Sequence, residues 1–161
     1  MSSTMEAAAQ AVAGPPGPAL LLAGALPRPG RWPPEALRQL GEREAGPFEL
    51  QCFTGRPIGR LEAARGVRLI DVLDAGGFSM QPRALRKRCI VAAVAADGYR
   101  ALFSWNELYN GPIGAGVLVI WAQQGQALAP PLGPLALLSA HDHRLGPRHL
   151  HGLERIEVHA L

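Results

Sequence analysis

A single mixed α+β domain, richer in strand than in helix, is the fold class this sequence predicts. Three observations point there. The chain has 161 residues, 48% of them hydrophobic, which is one domain's length with enough apolar side chains for a core. Its 19 Gly and 15 Pro cut it into short elements joined by turns. Between those breaks lie apolar runs of strand length, some alternating with polar residues and some continuous.

Residues 1–18, "MSSTMEAAAQAVAGPPGP", are small and then Pro/Gly-rich, and a disordered lead-in is expected. The domain is placed at 19–161. "ALLLAG" (19–24) reads as the first strand. "RWPPEALRQLGERE" (31–44) reads as a short helix, with Pro at its entry, Leu37 and Leu40 three apart and Gly41 near its exit. "PFELQCF" (47–53) alternates as a half-buried strand does. In "GVRLIDVLDAGGF" (66–78), Leu69, Val72 and Leu73 share one helix face and Gly76-Gly77 supply the stop.

"CIVAAVAADGYRALFSW" (89–105) predicts two strands around an Asp97-Gly98 turn, with Val91, Ala93 and Ala95 on one face. "SWNEL" (104–108) carries Ser-x-x-Glu, a capping box that opens a short helical turn. "GVLVIWAQQGQAL" is a strand and a Gln-Gly-Gln turn, with Trp121 a core residue on the strand's alternation. "PLALLSA" and "LERIEVHAL" are the last strands. The sequence shows no internal repeat, and no second domain is expected.

Net charge is +3, and fifteen of the sixteen cationic residues are Arg, Lys87 being the exception. Arginine forks bind carboxylates and phosphates, so an anionic ligand is permitted. The arginines are scattered, however. The one dense run, "RALRKR" (83–88), lacks any nucleic-acid motif and reads as a solvated face. No nucleic-acid partner is expected. Membrane insertion is not expected either, because "ALLLAGAL" stops at Pro27, far short of the roughly 18 apolar residues a span needs. The first cationic side chain is Arg28; without a basic region before it the N-terminus does not read as a secretory signal, and a cytoplasmic protein is expected.

Two cysteines, Cys52 and Cys89, make neither a disulfide framework nor a CxxC pair. By frequency each reads as a small buried hydrophobe. Cys52 ends the alternating run and begins "CFTGRP", so a thiolate presented from a loop is the competing reading. Asp97-Gly98-Tyr99 reads as a turn followed by a packed aromatic with its hydroxyl wet or paired. All five histidines fall in the last 21 residues. "HDH" (141–143) and "HLH" (149–151) are i, i+2 pairs that face one side when extended. With a reversal at Gly146-Pro147, four imidazoles could meet at one metal; solvated loops are the alternative.

Taken in order, several pieces carry a resemblance: "LLLAGALPRPGRWPPEALRQL", a strand ending in Cys52, "GVRLIDVLDAGG", "AADGYRALFSWNEL", "VLVIWAQQGQAL" and a Pro-rich segment closing in "LERIEV". The chain after residue 18 resembles the molybdopterin-binding domain of the sulfite oxidase family, in its short stand-alone form. No single piece is specific; their order and spacing carry the likeness. It implies a β-rich α+β fold and a molybdenum-molybdopterin cofactor, with Cys52 as the catalytic metal thiolate. The implied activity is that of an oxidoreductase, by oxygen-atom transfer or a related two-electron reaction on a small substrate, with a redox partner protein possible. In the terminal loop, Arg148 and His151 stand where the family meets the cofactor's phosphate, and Arg56 is a further cofactor-binding candidate.

The chain also departs from the family pattern. Ala64 stands where Trp is common, Leu132 where a polar residue is expected, Ala136 where an Arg is expected, and Arg148 and His151 replace lysines. Removing one charge-assisted hydrogen bond to a dianionic ligand costs about 1.5–3 kcal/mol. Two functions therefore follow from the sequence. One is the molybdenum oxidoreductase. The other is a cofactor-free descendant of the same fold that binds a small anion or a partner protein.

Overall fold

The computed structural model describes residues 19–161; the expected lead-in, 1–18, lies outside the described residues. Strand takes 41% and helix 19% of the structure, so the α+β class with excess strand is observed. Among the described residues, twelve strands and four short α-helices follow one another as β1 (Leu20–Gly24), β2 (Gly30–Trp32), α1 (Pro34–Arg38), β3 (Arg43–Ala45), β4 (Phe48–Gln51), β5 (Pro57–Leu61), β6 (Ala64–Arg68), α2 (Leu69–Ala75), α3 (Arg83–Arg86), β7 (Cys89–Ala95), β8 (Arg100–Ser104), α4 (Trp105–Tyr109), β9 (Val117–Gln123), β10 (Gln126–Ala127), β11 (Ala136–Ser139) and β12 (Leu153–Ala160), with 3-10 turns at Phe78–Met80 and Gly114–Gly116.

They form two five-stranded sheets and a separate hairpin. The first sheet runs β2-β1-β12-β7-β8, antiparallel except where β1 meets β12. The second runs β10-β9-β6-β3, with β11 also pairing with β9. β4 and β5 pair with each other as a two-stranded unit.

A main core joins the first sheet to one face of the second: Leu20, Leu22, Val91, Phe103, Ile156 and Val158 meet Val67, Val119, Trp121 and Leu137. Leu69, Val72 and Leu73 bring the predicted face of α2 into the same cluster. The opposite face of the second sheet has its own cluster, in which Ile120, Leu138 and Leu61 are packed by Phe48 and Leu50 of the hairpin. Burial on both faces explains why β9 reads as the unbroken apolar run "VLVIW".

Two sequence expectations change here. The segment expected as helix over 31–44 is helical only at 34–38, with β2 before it and β3 after. Leu37 is fully buried, but Gly41 takes φ +101° and turns the chain so that Arg43–Ala45 can pair with β6. Likewise "GVR" (66–68) is strand, because Gly66, Val67 and Arg68 pair with Ile120, Val119 and Leu118; the helix starts only at Leu69. Gly66 permits that pairing by closeness: a Cβ there would lie 2.1 Å from the Val119 carbonyl oxygen.

The remaining local signals formed as read. Gly77 takes φ +87° just past α2, and Tyr99 N–H donates to Asp97 Oδ1 at 2.9 Å in the Asp-Gly turn. The capping box closes in both directions, Glu107 N–H to Ser104 Oγ and Ser104 N–H to Glu107 Oε1, each at 3.1 Å. Among the described residues no helix is long and apolar enough to cross a membrane.

Candidate functional site

Cys52 is the first residue of the loop joining β4 to β5. Its N–H donates to Arg56 O at 3.0 Å, and its own carbonyl accepts from Gly55 N–H at 2.8 Å. Gly55 makes this tight turn possible with φ +91°. The cysteine is half-buried, which corrects the expectation of a buried small hydrophobe; Cys89, at the start of β7, does fit that expectation at 2% exposure. The hairpin packs Phe48, Leu50 and Leu61 against the second core and leaves its tip in water. Phe53, next to the thiol, is 83% exposed.

The Cys52 Sγ lies 2.9 Å from Thr54 Oγ1. That hydrogen bond is the main reason the thiol is acidified to about 7 from an ordinary 9.0. Backbone N–H groups of Thr54 and Arg56 and the positive charge of Arg56 act in the same direction, against the cost of desolvation. Near neutral pH a substantial share of the sulfur is therefore thiolate, the form that binds metals and attacks electrophiles. Cys89 moves the other way, because burial disfavours its charged form.

The histidine-containing loop, 141–152, braces this hairpin. Gln51 O accepts from Gly146 N–H at 2.8 Å, and Gln51 Oε1 accepts from Arg144 Nη1 at 3.1 Å. The Arg144 guanidinium lies beside Gly55, where a Cβ would come within 3.2 Å of Nη2. Arg56 thus sets a cation by the thiol and Arg144 one by the hairpin turn, and neither has a carboxylate partner among the described residues.

Arg148 lies deeper in the loop. Its Nε and Nη2 grip the Asp142 carboxylate at 2.8 and 2.6 Å. Its Nη1 donates to Glu107 Oε2 and to Leu102 O, both at 2.9 Å. Its guanidinium lies 4.3 Å from the centre of the Phe103 ring. His151 is exposed and meets His149 edge to face, with ring centroids 4.7 Å apart. Tyr99 donates its hydroxyl to Pro147 O, but its ring is exposed, which corrects the expectation of a packed aromatic.

The structure thus brings Cys52, Thr54 and Arg56 together, holds Arg148 in an internal ion-pair network, and puts His151 beside His149. It does not gather the four loop histidines. His141 Nδ1 lies 2.7 Å from Pro112 O, and no three His, Cys, Asp or Glu residues among the described ones converge to hold a metal. Sequence reasoning missed Thr54 and could not place Arg144. Thr54 carries a readable signal, a hydroxyl two residues after a loop cysteine, whereas Arg144 meets the hairpin at Gln51, 93 positions away.

Two clefts flank the Pro134–Leu135 segment. One, of about 430 Å³, is lined by Arg31, Gly152, Glu154 and Arg155; the other, of about 300 Å³, by Arg38, Arg65 and Trp121. Neither includes Cys52.

No known family's sequence pattern matches the chain, and no curated protein matches it in sequence at a significant level. Among solved structures it is similar to the sulfane dehydrogenase SoxCD from Paracoccus pantotrophus, with a TM-score of 0.60 and 16% identity. That alignment covers 88% of this chain but only 38% of the SoxCD chain. At such low identity the likeness is one of fold, and what this chain shares is the α+β fold of part of an oxidoreductase.

Proposed function

We propose that this chain is a molybdopterin-binding domain of the sulfite oxidase type, and that Cys52 is its metal-binding thiolate. The acidified, accessible thiol at the hairpin tip is the observation that carries this reading. Its position in the order of sequence elements and the fold shared with part of a sulfane dehydrogenase support it further.

The residues fit one half of the cofactor. A soft thiolate suits a high-valent metal that also takes sulfur from a dithiolene. Thr54, hydrogen-bonded to the sulfur, favours its deprotonated form and orients it, and Arg56 and Arg144 add positive charge for an anionic group. When bound, the cofactor supplies a two-electron centre for oxygen-atom transfer or a related reduction of a small substrate. The other half fits poorly: the donors of Arg148 that face Asp142, Glu107 and Leu102 O are not free for a phosphate. No step is assigned to that end.

The Arg148 network favours a second reading, a cofactor-free descendant in which the same loop is purely structural and the tip binds a small anion or a partner protein. Elemental analysis separates the two, with a fluorescence assay for oxidised pterin, on protein from a molybdate-supplied host that makes the cofactor. About one molybdenum and one pterin per chain, both lost in Cys52→Ser, is the outcome expected of the enzyme. Folded protein with neither supports the cofactor-free reading.

A further inference from the structure

His149 and His151 are separated by Leu150, which is 1% exposed and locked to Leu137 by two backbone hydrogen bonds of 3.0 Å. That isolated bridge fixes Leu150 with its side chain turned into the core. Its two neighbours turn their side chains away from that core, His149 half-buried and His151 exposed. The two imidazoles meet there, with centroids 4.7 Å apart and planes at 73°.

The hydrogen bond from His149 to Leu137 O, at 2.9 Å from Nδ1, fixes more than orientation. A carbonyl oxygen only accepts, so Nδ1 carries the proton and Nε2 keeps its lone pair. Metal-bound histidines are held in this way, with the distal nitrogen anchored and the other free to ligate. His151, exposed at the surface, is free to adjust its ring. Metal–imidazole bonds are about 2.0–2.1 Å, so two rings at 4.7 Å between centroids are spaced for neighbouring positions on one ion.

We infer that His149 and His151 form a two-imidazole site for one borderline divalent cation, copper(II) in preference to nickel(II) or zinc(II), with water filling the remaining positions. Nitrogen-only ligation selects these metals, and copper stands at the top of the stability order for such donors. His141 takes no part, since its ring packs where a Cβ on Gly116 would lie 2.6 Å away and its Nδ1 faces Pro112 O. The site does not involve Cys52, but it takes up His151, which the family resemblance sets at the cofactor's phosphate.

The test uses the full chain without a polyhistidine tag, titrated with copper(II) near neutral pH and followed by calorimetry and electron paramagnetic resonance. One ion per chain with hyperfine coupling to two imidazole nitrogens is expected. His151→Ala, at an exposed position, should weaken binding by at least about tenfold, since loss of a supporting residue behind a ligand alone costs 10–100-fold. His149→Gln should do the same in protein whose circular dichroism is unchanged. Zinc(II) should bind the wild type more weakly than copper(II). Absence of binding overturns the inference; so does copper binding that survives His151→Ala or that disappears in Cys52→Ser or His143→Ala.

Discussion

Arg148 and Asp142 meet as a two-pronged ion pair, Nε to Oδ2 at 2.8 Å and Nη2 to Oδ1 at 2.6 Å, and the pair is mostly shielded from water. The same guanidinium reaches Glu107 at the start of α4, so one side chain ties the 141–152 loop to the first sheet. Arg148→Ala leaves the Asp142 carboxylate buried without its counter-charge, and a loss of about 2–3 kcal/mol is expected. Arg148→Lys restores the charge but not the fork and should recover only part of it. Urea denaturation of the three proteins is the measurement.

Selective alkylation reports the thiol environment. Cys52 should react with iodoacetamide along a pH curve centred at about 7, while Cys89, buried and shifted upward, should react only on unfolding. Thr54→Val removes the main cause of the acidification, so the Cys52 curve should move toward the ordinary thiol range and the rate at pH 7 fall several-fold. A curve unmoved in Thr54→Val would show that the hydroxyl is not what acidifies the sulfur.

Glu157 on β12 accepts from Arg100 at 2.7 Å and also bonds Arg155 and His159. Arg100 first, then Arg155, hold its carboxyl at about 2, against an ordinary 4.5. A carboxyl with a depressed folded-state pKa stabilises the fold above its unfolded value. That stabilisation is lost as pH falls from about 4.5 toward 2. Glu157→Gln should therefore be less stable than wild type at neutral pH and show a flatter acid limb, with the two proteins converging below pH 2. Urea midpoints across that range test it.

Ser104→Ala removes one half of the capping box at α4, and a cost of about 1 kcal/mol is expected. Ser104→Asp should retain most of the stability, because a carboxylate accepts the same N–H bond and suits a helix start. Thermal unfolding distinguishes these outcomes.

Local signals were legible in the sequence where neighbours within a few residues decide the structure. The Ser104–Glu107 box, the Asp97-Gly98 turn and the Gly77 stop are of this kind. β5 was not legible: it opens with Pro57 and exposes every residue but Leu61, so no apolar alternation marks it, and its pairing with β4 alone makes it a strand. β3 and the first part of β6 were hidden for a related reason, since "REA" and "ARG" extend only because partners across the sheet hold them. At the site, the sequence left Cys52 between a buried hydrophobe and a loop thiolate, because its exposure depended on a hairpin the sequence did not announce. The engagement of Arg148 with Glu107 crosses 41 positions, a distance at which residue type alone names no partner.

The β4–β5 hairpin shares no backbone ladder with either sheet. It is rooted by Phe48, Leu50 and Leu61 against the second core and propped near its tip through Gln51. Mechanically it is a cantilever with a strut, and the thiol rides on its free end. Its amides should exchange with solvent as a group and ahead of those of β7 and β12, and Gln51→Ala should speed that exchange. A beam of this kind lets the sulfur shift to meet a ligand while the sheets beneath it stay still.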